Sequence, residues 1–147
     1  MNDPDAYATL DAGPLREVRV KGSRFLAQAW PVQSEEELRE RRDLCRRRHH
    51  DARHHCWAVR LGPPDGGLER HDDDGEPSGT AGPPILGALQ RLDLYDAGVV
   101  VTRYFGGVKL GTGGLVRAYG EAAATALEAA PRRRAWRLIQ LELECAY

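Results

Sequence analysis

Hydrophobic and polar residues alternate along several short stretches of the chain, which is the two-residue period of a half-buried β-strand. Alternation, or a short apolar run bounded by turn residues, predicts strands over residues 15–21, 24–30, 56–61 and 68–71. The first two strands are joined by Gly22-Ser23 and are predicted to form a hairpin. Residues 98–104 (GVVVTRY) are almost continuously apolar and β-branched, which predicts a central strand covered on both faces.

Apolar residues recur at intervals of three and four in three other segments, which is the period of a helix with one face on a core. These segments begin near Ser34, Pro83 and Leu115 and run to about residues 48, 92 and 130. Ser34 and Glu37 have the spacing of a capping box, and two prolines suit the first turn of the second helix. Helices mixed with strands and hairpins predict an α+β fold, a two-layer sandwich of helices on a sheet.

The two ends of the chain are predicted to lie outside the main domain, which spans residues 15–135. Residues 1–14 are polar and are expected to be flexible. Three arginines at residues 132–134 suit the negative end of the third helix. Within residues 136–147, apolar and polar positions alternate from Ile139 to Cys145 and predict a terminal strand, whose unpaired edge allows a homodimer.

Composition narrows the class of protein. The 147 residues carry 21 basic and 22 acidic side chains, and this net charge of −1 excludes a bulk polycation that coats nucleic acid without specificity. No apolar run approaches the ~20 residues of a membrane span, and the first residues lack the pattern of a secretory signal. Three cysteines without a CxxC pair argue against a disulfide scaffold, so a cytoplasmic protein without membrane contact is expected.

The segment RYFGGVKLGTGG, residues 103–114, lies between the predicted central strand and the third helix. Glycines let a ligand approach the backbone, and N–H groups at a helix start attract an anion such as phosphate. The candidate anion- or RNA-binding residues are Arg103, Gly106, Gly107, Lys109, Gly111, Thr112, Gly113 and Gly114. The segment fits neither the P-loop pattern nor the dinucleotide fingerprint, so a tight connection that needs glycine dihedrals is the alternative.

A second segment, DDGEPSGTAG at residues 73–82, is rich in carboxylates and turn formers. Its candidate residues are Asp73, Asp74, Glu76, Ser78 and Thr80. The carboxylates suit either Mg²⁺ or an acidic turn, and the two hydroxyls are expected to cap a helix rather than act as nucleophiles. No second carboxylate cluster is present in the sequence to complete a two-metal site, and no metal or cofactor is predicted.

One arc of the first predicted helix and of the residues after it is basic. It contains Arg39, Arg42, Arg46 and Arg53. A solvated helix face is one interpretation, and a docking surface for an acidic partner such as RNA is the other. His50 and His54 have the spacing of two metal ligands on one helix face, without a clear third ligand.

The two Gly-rich segments extend into longer blocks that resemble the signature blocks of the Impact protein family, in its bacterial YigZ-like branch. These blocks are DDGEPSGTAGPPIL at residues 73–86 and VVVTRYFGGVKLGTGGLVRAYGEA at residues 99–122. Two weaker matches, KGSRFLA at residues 21–27 and HCWAVR at residues 55–60, stand in the family's order. The resemblance covers about residues 15–131 and implies an Impact N-terminal domain with the ribosomal-protein S5 domain 2-like fold.

The resemblance also implies a link to translation. Eukaryotic members regulate translation by competing for the activator protein of an amino-acid-starvation kinase, and bacterial members are described as nucleic-acid- or translation-associated proteins. Bacterial members carry a second, smaller α/β domain, so residues 136–147 are expected to be the start of such a domain.

Three functions are expected from these observations, in decreasing order. The first is a binding module that contacts RNA or a ribosome-associated partner through residues 103–114. The second is a Mg²⁺-assisted phosphoryl or nucleotide hydrolase, for which the sequence offers no catalytic base or nucleophile with an orienting partner. The third is a protein-interaction domain in which the Gly-rich segments are structural.

Overall fold

The structure is a computed structural model that describes residues 6–136. Within these residues the elements, in chain order, are β1 Ala6–Leu10, β2 Arg16–Val20, β3 Ser23–Pro31, α1 Glu35–Arg48, β4 His54–Leu61, β5 Leu68–Asp72, α2 Gly82–Arg91, β6 Ala97–Tyr104, α3 Gly111–Ala129 and β7 Arg132–Trp136. None of these helices is both long and apolar enough to cross a membrane.

Five of the strands form one sheet in the order β2-β3-β6-β4-β5, and every neighbouring pair is antiparallel. The predicted central strand is confirmed, because β6 lies in the middle of the sheet and seven of its eight residues are buried. The hairpin predicted around Gly22-Ser23 is confirmed as β2 and β3.

Helices pack on both faces of the sheet. On one face, α2 and α3 cover the larger core, where Phe25, Val99 and Val101 meet small side chains of α3 such as Ala122 and Ala126. On the other face, α1 covers a smaller cluster of buried side chains, which are Trp30, Val32, Leu38, Trp57, Val59 and Val100. The predicted α+β class is confirmed, and α1 adds a helix on the face opposite the main helical layer.

The start of α3 lies four residues before the predicted start. Gly111 to Gly114 form its first turn, whereas the expectation from glycine's low helix propensity was a start at Leu115. The first N–H groups of a helix have no partner inside the helix, and this turn has no side-chain cap among the described residues. The Gly-rich segment therefore contains the end of β6, the loop over residues 105–110 and the first turn of α3.

The prediction of a flexible N-terminus is wrong for residues 6–10. These residues form β1, which pairs with β7 in a two-stranded sheet, and Leu10 is fully buried. The arginines at residues 132–134 lie in β7, although Arg132 still donates to the carbonyls of Leu127 and Ala130 near the end of α3. The strand predicted over the last residues of the chain, and pairing between chains through it, lies outside the described residues.

Candidate functional site

The loop that joins β6 to α3, residues 105–110, lies against the turn of the β2–β3 hairpin. The Gly106 N–H donates to the Ser23 Oγ at 3.2 Å. A Cβ on Gly106 would lie only 2.0 Å from the carbonyl carbon of Gly22, so this contact requires glycine. In the hairpin turn, Lys21 and Gly22 have φ of 48° and 85°. The two turns therefore form one surface.

A buried ion pair contacts this surface from the interior of the protein. The Arg103 Nη1 lies 3.0 and 2.9 Å from the two carboxylate oxygens of Glu76, and its Nη2 lies 3.4 Å from the Ser23 Oγ. The Tyr119 hydroxyl of α3 donates to the same carboxylate. Burial raises the pKa of Tyr119 well above its usual value, so this phenol remains a donor. The prediction that Arg103 binds an external anion is therefore wrong, since its guanidinium is buried against Glu76.

Asp73 caps the start of α2. Its two carboxylate oxygens accept from the backbone N–H groups of Gly79, Ala81 and Gly82 at 2.8–3.1 Å. Partial burial acts to raise the pKa of Asp73, but these N–H donors outweigh it and hold the pKa below its usual value. The cap expected from Ser78 or Thr80 therefore comes from Asp73, since Ser78 is exposed and Thr80 donates to the Pro77 carbonyl.

Replacing this carboxylate should destabilise the protein in a pH-dependent way. Asp73→Asn is expected to lower the free energy of unfolding by about 1–2 kcal/mol at pH 7, because two charged acceptor oxygens become one neutral acceptor. Because the pKa of Asp73 is lower in the folded protein, the stabilisation is fully present at pH values above the unfolded pKa of about 3.9. It is lost as the pH falls through the pKa of the folded protein. Urea unfolding at pH 7 and pH 3 measures this. The same change at the neighbouring Asp72 is the control, and an equal effect there would contradict the assignment.

The carboxylates of the second segment do not converge on a metal. One oxygen of Asp74 accepts from Arg46 at 2.9 Å and the other from the His55 N–H at 2.7 Å, while Asp73 and Glu76 bind the partners given above. His54 Nδ1 lies 2.8 Å from the Asp74 carbonyl oxygen. Across residues 6–136, no three His, Cys, Asp or Glu side chains are grouped as metal ligands would be. Of the two interpretations of this segment, these contacts favour the acidic turn over the Mg²⁺ site.

The basic face predicted on α1 is largely neutralised. Arg39 pairs with Glu35, Arg42 with Asp43 and Arg46 with Asp74, at distances of 2.7–3.1 Å. Arg53 is exposed but lies beyond the end of α1, in the bend before β4. The four arginines therefore do not form one free cationic surface.

The loop and the start of α3 instead present open donors. Gly106, Gly107, Lys109, Gly111, Thr112 and Gly113 are exposed, and Gly114 is half-buried. Gly107 and Gly111 have φ of 88° and 73°, which favour glycine. The N–H groups of Gly107 to Leu110 make no turn hydrogen bond to the backbone of the described part of the chain.

Cations without ion-pair partners surround these donors. Among the described residues, no carboxylate pairs with Lys21, Lys109 or Arg117. Between the hairpin turn and α3 lies a cavity of about 210 Å³. Its lining residues are Val20, Lys21, Leu110, Gly114, Arg117, Ala118 and Glu121.

Sequence reasoning missed Lys21 and Arg117 as members of the site. The rarity of lysine was the one available signal, since the chain has only two, Lys21 and Lys109, and the structure places them in the two turns that meet. Nothing in the sequence separates Arg117 from the other arginines.

The chain is similar to proteins of one family. The model of the Impact N-terminal domain matches residues 21–127. An IMPACT family member of Haemophilus influenzae is 42% identical over 142 residues, which cover 96% of this chain and 69% of the relative. The IMPACT family member YigZ of Escherichia coli is 39% identical over 140 residues, which cover 94% of this chain and 69% of the relative.

Two solved structures are similar to this chain. The crystal structure of a hypothetical protein matches with a TM-score of 0.84 and 36% identity, over 90% of this chain and 65% of the other. The two-domain translational regulator Yih1 matches with a TM-score of 0.51 and 29% identity, over 88% of this chain and 48% of Yih1. The chain thus spans about two thirds of the lengths of these two bacterial relatives and about half of Yih1. On the evidence of the signature blocks, the fold and these matches, the chain belongs to the Impact family.

Proposed function

We propose that the protein is a translation-associated module that binds RNA through the phosphate groups of the RNA backbone. The binding surface consists of loop 105–110 and the first turn of α3. The similarity to a translational regulator supports the link to translation. The observation that carries the proposal is the exposed first turn of α3 beside Lys21, Lys109 and Arg117, for which the described residues supply no helix cap and no carboxylate partner. A cytoplasmic location is part of the proposal.

The chemistry of this surface suits a phosphate. N–H groups at a helix start carry a partial positive charge, and the absence of Cβ atoms lets an oxyanion approach them closely. Lysine adds a compact charge without demanding one geometry. Contacts of this kind position a nucleic acid but read little of its sequence, so weak sequence preference is expected. With a net charge of −1, micromolar affinity with strong salt dependence is expected.

Removing one of these charges should weaken binding and its salt dependence together. We expect Lys109→Ala to reduce affinity for a mixed-sequence RNA several-fold and to lower the slope of log affinity against log salt by about one, because one phosphate contact is lost. Fluorescence anisotropy of a labelled RNA at several salt concentrations between about 50 and 200 mM measures both.

A cation on another face is the matched control. Arg39→Ala on α1 removes an arginine that already pairs with Glu35, and its affinity and salt slope should equal those of the wild type. Wild-type protein that binds no RNA, or binds with a flat salt slope, would contradict the proposal. Equal losses for Arg39→Ala and Lys109→Ala would also contradict the assignment of the surface.

A further inference from the structure

Loop 105–110 exposes an aromatic ring at its start. Phe105 is 56% exposed, whereas Phe25 and Tyr119 are fully buried and Trp30 and Trp57 are nearly so. Val108 in the same loop is 49% exposed. A single exposed apolar side chain is ordinary on a protein surface, so exposure alone assigns nothing to Phe105. The case for a role of Phe105 in binding rests on its fixed backbone and on the residues around the ring.

Both chain neighbours of Phe105 are held in place. Tyr104 ends β6 opposite Arg24 of β3, and the Arg24 guanidinium carbon lies 5.4 Å from the centre of the Tyr104 ring. Gly106 is bound to Ser23 and packs on the hairpin turn. The backbone that carries the ring is therefore fixed before any ligand arrives, which lowers the entropy lost on binding.

The ring is also supported from within the protein. The Arg103 guanidinium carbon lies 5.7 Å from the centre of the Phe105 ring, and Arg103 is fixed by its pair with Glu76. Arg103 itself is buried, whereas more than half of the Phe105 surface is exposed. The Phe105 ring therefore has a partner inside the protein and keeps an accessible surface for a ligand.

We propose that Phe105 stacks on an unpaired base, so that the RNA bound at this surface is single-stranded. Phosphate-binding groups beside an exposed aromatic ring are the combination by which single strands are held, since each base offers a flat face and each linkage a charge. The bases of a duplex are stacked on one another and cannot reach such a ring. This inference rests on the proposed phosphate surface and adds the class of RNA.

The experiment compares two RNA probes and two substitutions of the same ring. The probes are a 12-nucleotide oligouridine and a 16-base-pair duplex without overhangs, both at fixed salt. We expect the wild type to prefer the oligouridine. We expect Phe105→Leu to weaken its binding about tenfold, because the loop keeps an apolar side chain but loses the aromatic face. Phe105→Trp should bind the oligouridine at least as well as the wild type, and Phe105→Leu should weaken binding of the oligouridine more than binding of the duplex.

The outcomes separate this inference from the proposed function. Equal binding of both probes, or an unchanged affinity of a folded Phe105→Leu variant, overturns the single-strand inference. If Lys109→Ala still weakens binding in that case, the phosphate surface remains supported. Wild-type protein that binds neither probe overturns both proposals. Thermal unfolding of each variant shows that it is folded, and Phe105→Trp provides the test if Phe105→Leu is not.

Discussion

Replacing Arg103 by methionine is expected to lower the free energy of unfolding by about 3–5 kcal/mol, because the change leaves the buried Glu76 carboxylate without its cation. Both side chains of the pair are over 90% buried. Tyr119 still donates to Glu76, but one neutral donor does not replace a charged guanidinium whose Nη1 donates to both carboxylate oxygens. Denaturant unfolding followed by circular dichroism measures the loss.

Two further variants show whether the loss comes from the unpaired charge. Arg103→Met combined with Glu76→Gln is expected to be more stable than Arg103→Met alone, since the uncompensated charge is removed and an amide oxygen still accepts from Tyr119. Arg39→Met makes the same substitution in an exposed ion pair and should cost less than about 1 kcal/mol. Equal losses for Arg39→Met and Arg103→Met would show that burial of the pair is not the cause.

The second large effect is expected from Gly106→Ala. The added methyl group would lie 2.0–2.3 Å from backbone atoms of Gly22 and Ser23, so the loop and the hairpin turn must separate. Overpacking of this kind against backbone costs about 3 kcal/mol or more, because no flexible side chain can move aside. The hydrogen bond from Gly106 to Ser23 is lost with the contact, so RNA affinity should fall together with stability.

A glycine in α3, Gly120, provides the control for Gly106→Ala. Gly120 lies inside α3, and a Cβ there would meet Pro84 at the ordinary distance of 3.8 Å. Gly120→Ala is therefore expected to raise stability by up to about 1 kcal/mol and to leave RNA affinity unchanged. A folded Gly106→Ala variant with wild-type affinity would show that the contact between the two turns does not shape the binding surface.

Local patterns in the sequence predicted most of the secondary structure. The Ser34 cap is confirmed, since its Oγ accepts from the Glu37 N–H at 3.1 Å, and α1 begins at the next residue. The prolines at residues 83 and 84 lie in the first turn of α2, as expected from their fixed φ. These features depend on residues within one or two turns of each other, which is why they can be read without a structure.

The features that sequence reasoning missed depend on distant partners. The partner of β1 is β7, more than 120 positions later, and nothing in a strand of five residues indicates such distant pairing. The sequence predicts an anion site at Arg103 because a Gly-rich loop follows it, whereas its actual partner, Glu76, lies 27 positions earlier. The position of the open donors was predicted, but the surface around them includes Lys21, which only the packing of two turns brings there.

The pairing of β1 with β7 has a consequence for how the protein is made. A ribosome synthesises Ala6–Leu10 before the other elements of the described chain and Arg132–Trp136 after them. The nascent chain can therefore form the antiparallel sheet of β2 to β6 before this last ladder closes, and until then Leu10 lacks the strand pairing that holds it in the core. Completion of the native state is expected to follow the emergence of Trp136 from the ribosomal exit tunnel.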